Sequence, residues 1–485
     1  MIYKSQPTAT NGSCHSRGPR RSKIVCTLGP ATESEEKIAG LIDAGVDLIR
    51  INFSHGSQEE HGKAIDKIRL LSERKKKPVA ILQDLQGSKI RIGPLKKPHY
   101  QLNEGGSFTL FSSPRVGDEN GVSTSHTTLY KRVAPGDSIL LNDGQIALSV
   151  DQVLGKDILC KIKEGGILAP YKGVNVPGKA LGVPTLTRKD WDDLKFGLDR
   201  GVDFVALSMV RDANDIVSIK RFIKKAGKTT AVIAKLELAV AISNLDKIIQ
   251  VSDGVMVARG DLGVDLPPEH VPLLQKEIIR KANLAQIPVI TATQMLESMV
   301  TQWRPTRAEV SDVANAVLDG TDALMLSAET ATGAYPIETV RMMNRIIVAA
   351  ESSLPASDPT LTTGLSVSEA VSKAACLIAH EMNATAIVTS TLSGGAALRL
   401  SKYRPQVPII ACTPDVLIQR RMSLYWGVAT CLTSSRNTNE DMFAEMIAKV
   451  RQGNFAKKGD LLVLVSQSPK IDTAPTDLIK VYQVS

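Results

Sequence analysis

Lys235 and Glu237 stand two residues apart at the end of the apolar run AVIA, and Asp261 follows the next apolar run, GVMVA, inside MVARGDLG. On a strand, residues two apart point to the same side. Two carboxylates beside a fixed cation suit a divalent metal that grips an anionic substrate. A single Lys-x-Glu on a strand reads equally well as a buried ion pair joining two strands. Followed one strand–helix unit later by an aspartate bracketed by glycines, the pattern points to chemistry, because perturbed charges cluster at sites.

The elements that must position these groups alternate from Lys23 onward. KIVCT, VDLIRI and VAILQD read as strands separated by amphipathic helices. From about Ile92 to Gly178 the rhythm stops, and short β-type runs (SFTLF, SILLND, ILCKI) are broken by Gly, Pro and Asn-Asp-Gly. The alternation then resumes with VDFVALS, AVIAKL, GVMVAR, PVITAT and DALMLS, closing on the helix PIETVRMMNRIIVAAE. Eight strand–helix units with one β insert predict a (β/α)8 barrel, whose site lies at the C-terminal strand ends. Those ends carry Arg50 and Asn52, Asp84, Ser208, Lys235 and Glu237, Arg259 and Asp261, Thr293, and Ser327 and Glu329. Strand starts are mostly Val, Ala, Pro or Gly, so polar groups gather at one rim. After the polar linker that follows Glu351, AIVTS, VPIIACT and DLLVLVS alternate with helices, as in an open, doubly wound α/β sheet. The expected division is a flexible tail over 1–19, the barrel over 20–91 and 179–351, a small all-β lid over 92–178 and the α/β domain over 352–485.

With 485 residues, 43% hydrophobic and 22% charged, the chain has the composition of a globular protein with ample core. Its net charge of +9 suits anionic partners, but with 4% aromatics no basic run is interleaved with stacking rings, which argues against nucleic acid. The most basic run, Arg74–Lys77 (RKKK), falls where a helix should end, and the helix dipole accounts for it without a ligand. Six cysteines show no C-x-x-C spacing. Cys26, Cys376 and Cys412 sit in apolar stretches as small hydrophobes, which fits a reducing, cytoplasmic setting. No apolar run reaches the ~18 residues of a membrane span, and the N-terminus has no h-region of a signal peptide.

RRSKIVCTLGPAT, RINFSHGS, IAKLE, MVARGDLG, ITATQMLESM, PTRAEVSDVANAVLDGTDALMLSAETA and YRPQVPII, in this order, resemble the pyruvate kinases from about Arg20 to the C-terminus. The resemblance implies phosphoryl transfer from phosphoenolpyruvate to ADP, giving pyruvate and ATP, which needs positioning and charge neutralisation more than covalent chemistry. It implies that Glu237 and Asp261 bind Mg²⁺ or Mn²⁺, and that Lys235 stabilises the phosphoryl group in flight. Arg50 is a forked donor for the same phosphate, and an arginine between isoleucines is a poor core residue. The amides of Gly260 and Asp261 would hold the substrate carboxylate. Thr293 matches a residue on that carboxylate, with capping of a following helix as a second role. Asn52, His55, Arg91 and Lys179 match nucleotide contacts, Lys179 only once the lid closes. For protonation of the enolate, Thr293 or Ser327 relaying through water is the expectation.

Where most of the family reads DTKGPEIRTG, this chain reads DLQGSKIRIG: Leu85, Gln86, Lys89 and Ile92 replace Thr, Lys, Glu and Thr. Asn52, Ser54 and Asp84 of the monovalent-cation pocket are kept, beside Leu85. The four changes resemble the branch that works without K⁺, with the Lys89 ammonium in place of the ion. In the C-terminal domain, TSTLSGGAA places Ser390, Thr391, Ser393 and Gly394 before a helix, which suits a phosphorylated effector or an ordinary turn. The tail lacks the S-G-x-T-N-like loop of fructose-bisphosphate-regulated members. The family's usual homotetramer is the expected assembly. Competing readings are another Mg²⁺-dependent (β/α)8 enolate enzyme, a non-catalytic regulatory homologue and a nucleic-acid binder.

Overall fold

The computed structural model describes residues 20–179, 181–354, 366–434, 438–467 and 476–485. The tail expected over 1–19, most of the linker after Glu351 and part of the C-terminal tail lie outside the described residues.

Eight parallel strands close into a barrel: Lys23–Thr27, Leu48–Asn52, Ala80–Asp84, Phe204–Leu207, Ala231–Leu236, Gly254–Ala258, Val289–Ala292 and Ala323–Leu326. They are the eight runs expected from the alternation. Most are buried on both faces, as parallel strands wrapped by helices must be. The helices start where the sequence offers side-chain acceptors. Thr187 with Asp190, Asp212 with Asp215, and Thr306 with Glu309 each form a capping box. The helix Glu35–Ala44 begins on Ser34 and ends at Gly45, whose φ of 116° is left-handed and favours glycine.

The insert after the third strand is all β. Val174–Asn175, Ser138–Leu141, Ile146–Leu154, Asp157–Glu164, Ser107–Phe111 and Gly121–Ser123 form one sheet in that order, and Tyr100–Leu102 pairs with Gly166–Leu168. Its core is made by Phe108, Leu110, Ile139, Leu148, Ile158 and neighbours. The long strand Ile146–Leu154 was not among the runs the sequence marks, because its second half turns polar and exposed.

In the C-terminal domain the sheet order is Val428–Leu432, Ile409–Thr413, Ala386–Ser390, Leu461–Gln467 and Thr476–Gln483, the last pairing antiparallel. The three expected strands form its centre. The edge strand Thr476–Gln483 carries polar, largely exposed residues that hide it in the sequence.

Two compact units partition the chain. One comprises the described residues up to Arg50, residues 62–81 and those from Met295 onward, and includes the C-terminal domain. The other comprises 51–61 and 82–294, and includes the insert. Within the first unit, Lys402 Nζ lies 2.5 Å from Asp322 Oδ2, and Lys23 Nζ donates to the Val428 carbonyl at 2.7 Å. Cys26, Cys160, Cys376 and Cys412 are buried free thiols.

Candidate active site

Lys235 is the penultimate residue of the strand Ala231–Leu236, at its C-terminal end. Lys235 Nζ lies 2.8 Å from Glu237 Oε1 and 3.3 Å from Asp84 Oδ1, and it donates to Ser208 Oγ at 2.7 Å. Three strands therefore converge on one ammonium. Ser208 Oγ in turn donates to the Leu85 carbonyl at 2.8 Å. The period-two expectation for Lys235 and Glu237 is realised as this contact.

Glu237 is 1% exposed. Its second oxygen accepts the Met209 amide at 2.7 Å. Met209 sits at φ 57°, a left-handed conformation that costs a residue with a Cβ and recurs at functional sites. Sequence reasoning missed Met209, because backbone strain leaves no compositional signal. Burial pushes the Glu237 carboxyl above its ordinary range, Lys235 opposes that, and Asp261 adds to it. Gly87 (φ 69°), in the DLQG run, packs a would-be Cβ 3.0 Å from Ser208 Cβ and 3.3 Å from its carbonyl oxygen, so only glycine fits this bend.

Asp261 lies in the first turn of the short helix Arg259–Asp265, where the sequence expects a helix to begin. Its Oδ1 is 2.6 Å from Lys89 Nζ, and Lys89 also lies 3.8 Å from Asp143 Oδ1. Asp143 belongs to the Asn-Asp-Gly turn of the insert, all three residues at positive φ. Burial draws the Lys89 ammonium down, but Asp261, Asp143 and Glu237 outweigh it and the net shift is upward. The ammonium on Asp84 is that of Lys235, while Lys89 meets Asp261.

A divalent metal fits this donor set. Asp261 adds to the cost of ionising Glu237, a cost that a cation shared between them would offset, and hard oxygen ligands match Mg²⁺ or Mn²⁺. Among the described residues no group of three or more His, Cys, Asp or Glu gathers for a metal. An ion held here would complete its shell with substrate and water oxygens.

The Gly260 amide donates to Thr293 Oγ1 at 2.8 Å, and that hydroxyl donates to the Ala292 carbonyl at 2.6 Å. Thr293 and Gln294 have φ values of 72° and 53°. Arg259 Nη2 donates to the Thr293 carbonyl at 2.7 Å, which ties this strained turn to the helix bearing Asp261. Thr293 caps no helix here; the next one is a 3₁₀ turn at Glu297–Val300.

Of the nucleotide candidates, Lys179 lines one cavity of about 390 Å³ with Lys89 and Met209. Asn52 Oδ1 accepts the Ser54 amide at 3.2 Å, and His55 is exposed in the same loop. Arg91 Nη1 donates to the Tyr171 carbonyl at 2.9 Å, and Lys179 Nζ pairs with Asp137 at 3.0 Å, so each residue flanking the insert bonds to a partner within it. In the other unit, Arg50 Nη1 donates to Thr27 Oγ1 at 3.0 Å. The Ser327 amide donates to Glu329 Oε2 at 2.6 Å, and the Leu296 amide donates to Glu329 Oε1 at 3.1 Å. Buried Glu329, one of the rim groups, thus serves two loop amides. In the C-terminal domain, Gly394 (φ 85°) precedes the helix Gly395–Lys402, and its amide donates to Thr391 Oγ1 at 2.9 Å.

Comparison with known proteins agrees with this architecture. Residues 19–340 match the family model "Pyruvate kinase, barrel domain", and residues 369–482 match "Pyruvate kinase, alpha/beta domain". The chain is 46% identical over 470 residues to "Pyruvate kinase 2" of Synechocystis sp., covering 96% of this chain and 80% of the relative. It is 44% identical over 466 residues to "Pyruvate kinase" of Thermotoga maritima, covering 96% and 100%. A crystal structure of a pyruvate kinase from Cryptosporidium parvum superposes with a TM-score of 0.90 at 34% identity, covering 96% of this chain and 97% of the other. With family models over most of its length and full-length relatives above 40% identity, the chain belongs to the pyruvate kinase family.

Proposed function

We propose that the rim cluster around Lys235 is the site at which this enzyme transfers a phosphoryl group from phosphoenolpyruvate to ADP, giving pyruvate and ATP. The observation that carries the reading is Lys235 Nζ held against Glu237, Asp84 and Ser208 at once. An ammonium fixed by three partners is preorganised for charge that develops on the moving phosphoryl group. Glu237 and Asp261 would hold the divalent ion. When bound, that ion supplies Lewis-acid polarisation of substrate oxygens. The Gly260 amide and Thr293 hydroxyl would exchange their mutual hydrogen bond for bonds to the substrate carboxylate. Arg50 would bind the phosphate, and Asn52, His55, Arg91 and Lys179 the nucleotide, with closure of the insert bringing Lys179 into play. Thr293 or Ser327, through water, would deliver the proton to the enolate carbon.

K⁺ is not required in this reading, because Lys89 already places a fixed positive charge beside Asp261. The domain division at 91/92, 178/179 and 351/352, a homotetrameric assembly, a cytoplasmic location and a phosphorylated effector at Ser390, Thr391, Ser393 and Gly394 belong to the same proposal. The family's habits support the assembly, and the glycine-bearing turn before a helix supports the effector. Among the described residues no helix is long and apolar enough to cross a membrane.

The test is pyruvate formation from phosphoenolpyruvate and ADP with Mg²⁺, in K⁺-free buffer and with K⁺ added. Equal activity in both supports the site and the Lys89 substitution. Activity only with K⁺ keeps the site and removes Lys89 from that role. Inactivity of folded protein in both would favour the enolate-enzyme or regulatory readings.

A further inference from the structure

The helix Gln58–Arg74 ends inside the basic run RKKK, and the chain then turns at Lys76 with φ 52°. Lys76 and Lys77 leave the helix to line a cavity of about 580 Å³, which Arg69, Arg420 and Lys449 also border. Glu73 is the one acidic side chain among the described lining residues, against 59 basic and 50 acidic residues in the whole chain. Arg69, Lys77, Arg420 and Lys449 are half-buried, so their charges are less screened than those of a solvated face. Arg420 lies in the last turn of the helix Val416–Arg421, and Lys449 in that of Asn439–Gln452. The helix dipole accounts for Arg420 and Lys449 singly. Arg69 Nη1 donates to the Val79 carbonyl at 3.2 Å, and Lys77 Nζ to the Ile42 carbonyl at 2.5 Å. Neither the dipole nor these bonds account for five cations around one cavity.

A second observation points the same way. The edge strand Val428–Leu432 contributes Thr430, whose Oγ1 is buried without a hydrogen-bond partner among the described residues. A buried hydroxyl costs free energy until it is paired.

We propose that this cavity binds a phosphorylated small metabolite, at a place sharing no residue with the phosphoryl-transfer cluster or with the loop Ser390–Gly394. Phosphate oxygens accept forked bonds from Arg69 and Arg420 and point-charge contacts from Lys76, Lys77 and Lys449. Thr430 donates its hydroxyl to one oxygen or accepts from a sugar hydroxyl. The volume lies within the range of small-molecule sites and exceeds what a bare phosphate needs.

Lysine reactivity in the intact protein tests this. The protein is acetylated with limiting acetic anhydride, with and without a hexose monophosphate, and each lysine is read by peptide mass. Sulfate at equal concentration serves as the control. Lys76 and Lys449 should lose about tenfold in reactivity at saturation, as direct charge-assisted contact implies, while exposed Lys163 and Lys225 stay constant. The half-protecting concentration should rise about tenfold in Arg420→Glu and severalfold in Thr430→Val, matching the loss of one contact each. Unchanged acetylation of Lys76 and Lys449 would overturn the proposal in the unmodified protein, whatever the variants do. Equal protection by sulfate would also overturn it, by showing general anion screening.

Discussion

The Lys89 ammonium lies 2.6 Å from Asp261 Oδ1, so the first-turn carboxylate of the helix Arg259–Asp265 already carries a fixed cation. Reversing that charge should expose what it does. In Lys89→Glu, Asp143, Asp261 and Glu237 would face a further carboxylate, and a mobile cation would be needed to balance them. Turnover without K⁺ should fall about tenfold or more, in line with close charge pairs, and added K⁺ should restore most of it. A variant whose residual rate ignores K⁺ would remove Lys89 from the cation's role.

Lys235→Met should leave the fold intact and cost about 10³-fold or more in kcat, as expected for a preorganised group acting on developing charge. Fold integrity is read by circular dichroism and kcat by pyruvate release. Glu237 loses its nearest cation in this variant, so its carboxyl should move further above the ordinary range. Retention of a tenth of the wild-type kcat would show that Lys235 is only an ion-pair partner.

Thr293 bonds Gly260 through its hydroxyl while strained at φ 72°. Thr293→Ala should raise KM for phosphoenolpyruvate about tenfold with kcat little changed, the pattern of lost ground-state binding. Thr293→Ser should recover most of the loss. A fall in kcat at constant KM would instead assign the hydroxyl to proton delivery.

Burial draws the Lys402 ammonium down to about 8, against the attraction of Asp322 and aided by Arg404. An unfolded lysine keeps its proton to 10.5. Between pH 8 and 10.5 the unfolded chain therefore binds more protons than the folded one, and the stability contributed by this group rises with pH. Below pH 8 the folded protein carries the full cost of the buried charge. Urea unfolding of wild type and Lys402→Met at pH 7.5 and 9.5 should show the difference shifting in favour of the wild type at the higher pH. A flat difference would mean that Lys402 titrates as in the unfolded chain.

Local periodicity determined much of this protein by itself. Alternating strand and helix patterns marked all eight barrel strands, because a buried parallel strand is a short apolar run whatever lies beside it. The period of two put Lys235 and Glu237 on one side, and the glycines around Asp261 marked a helix start. These are properties of neighbours along the chain.

Tertiary structure decided which distant groups meet. That Lys235 reaches Asp84 and Ser208 depends on the register of strands that pair only when the sheet closes. Lys89 could be drawn from the sequence toward Asn52, Ser54 and Asp84, but the course of the chain into the insert carries it to Asp261 and Asp143. Met209 holds Glu237 through a backbone amide, which no side-chain pattern encodes. The basic run after Arg74 reads as a helix end until Arg420 and Lys449 arrive beside it. Charge complementarity acts through space, and only the folded chain brings those side chains together.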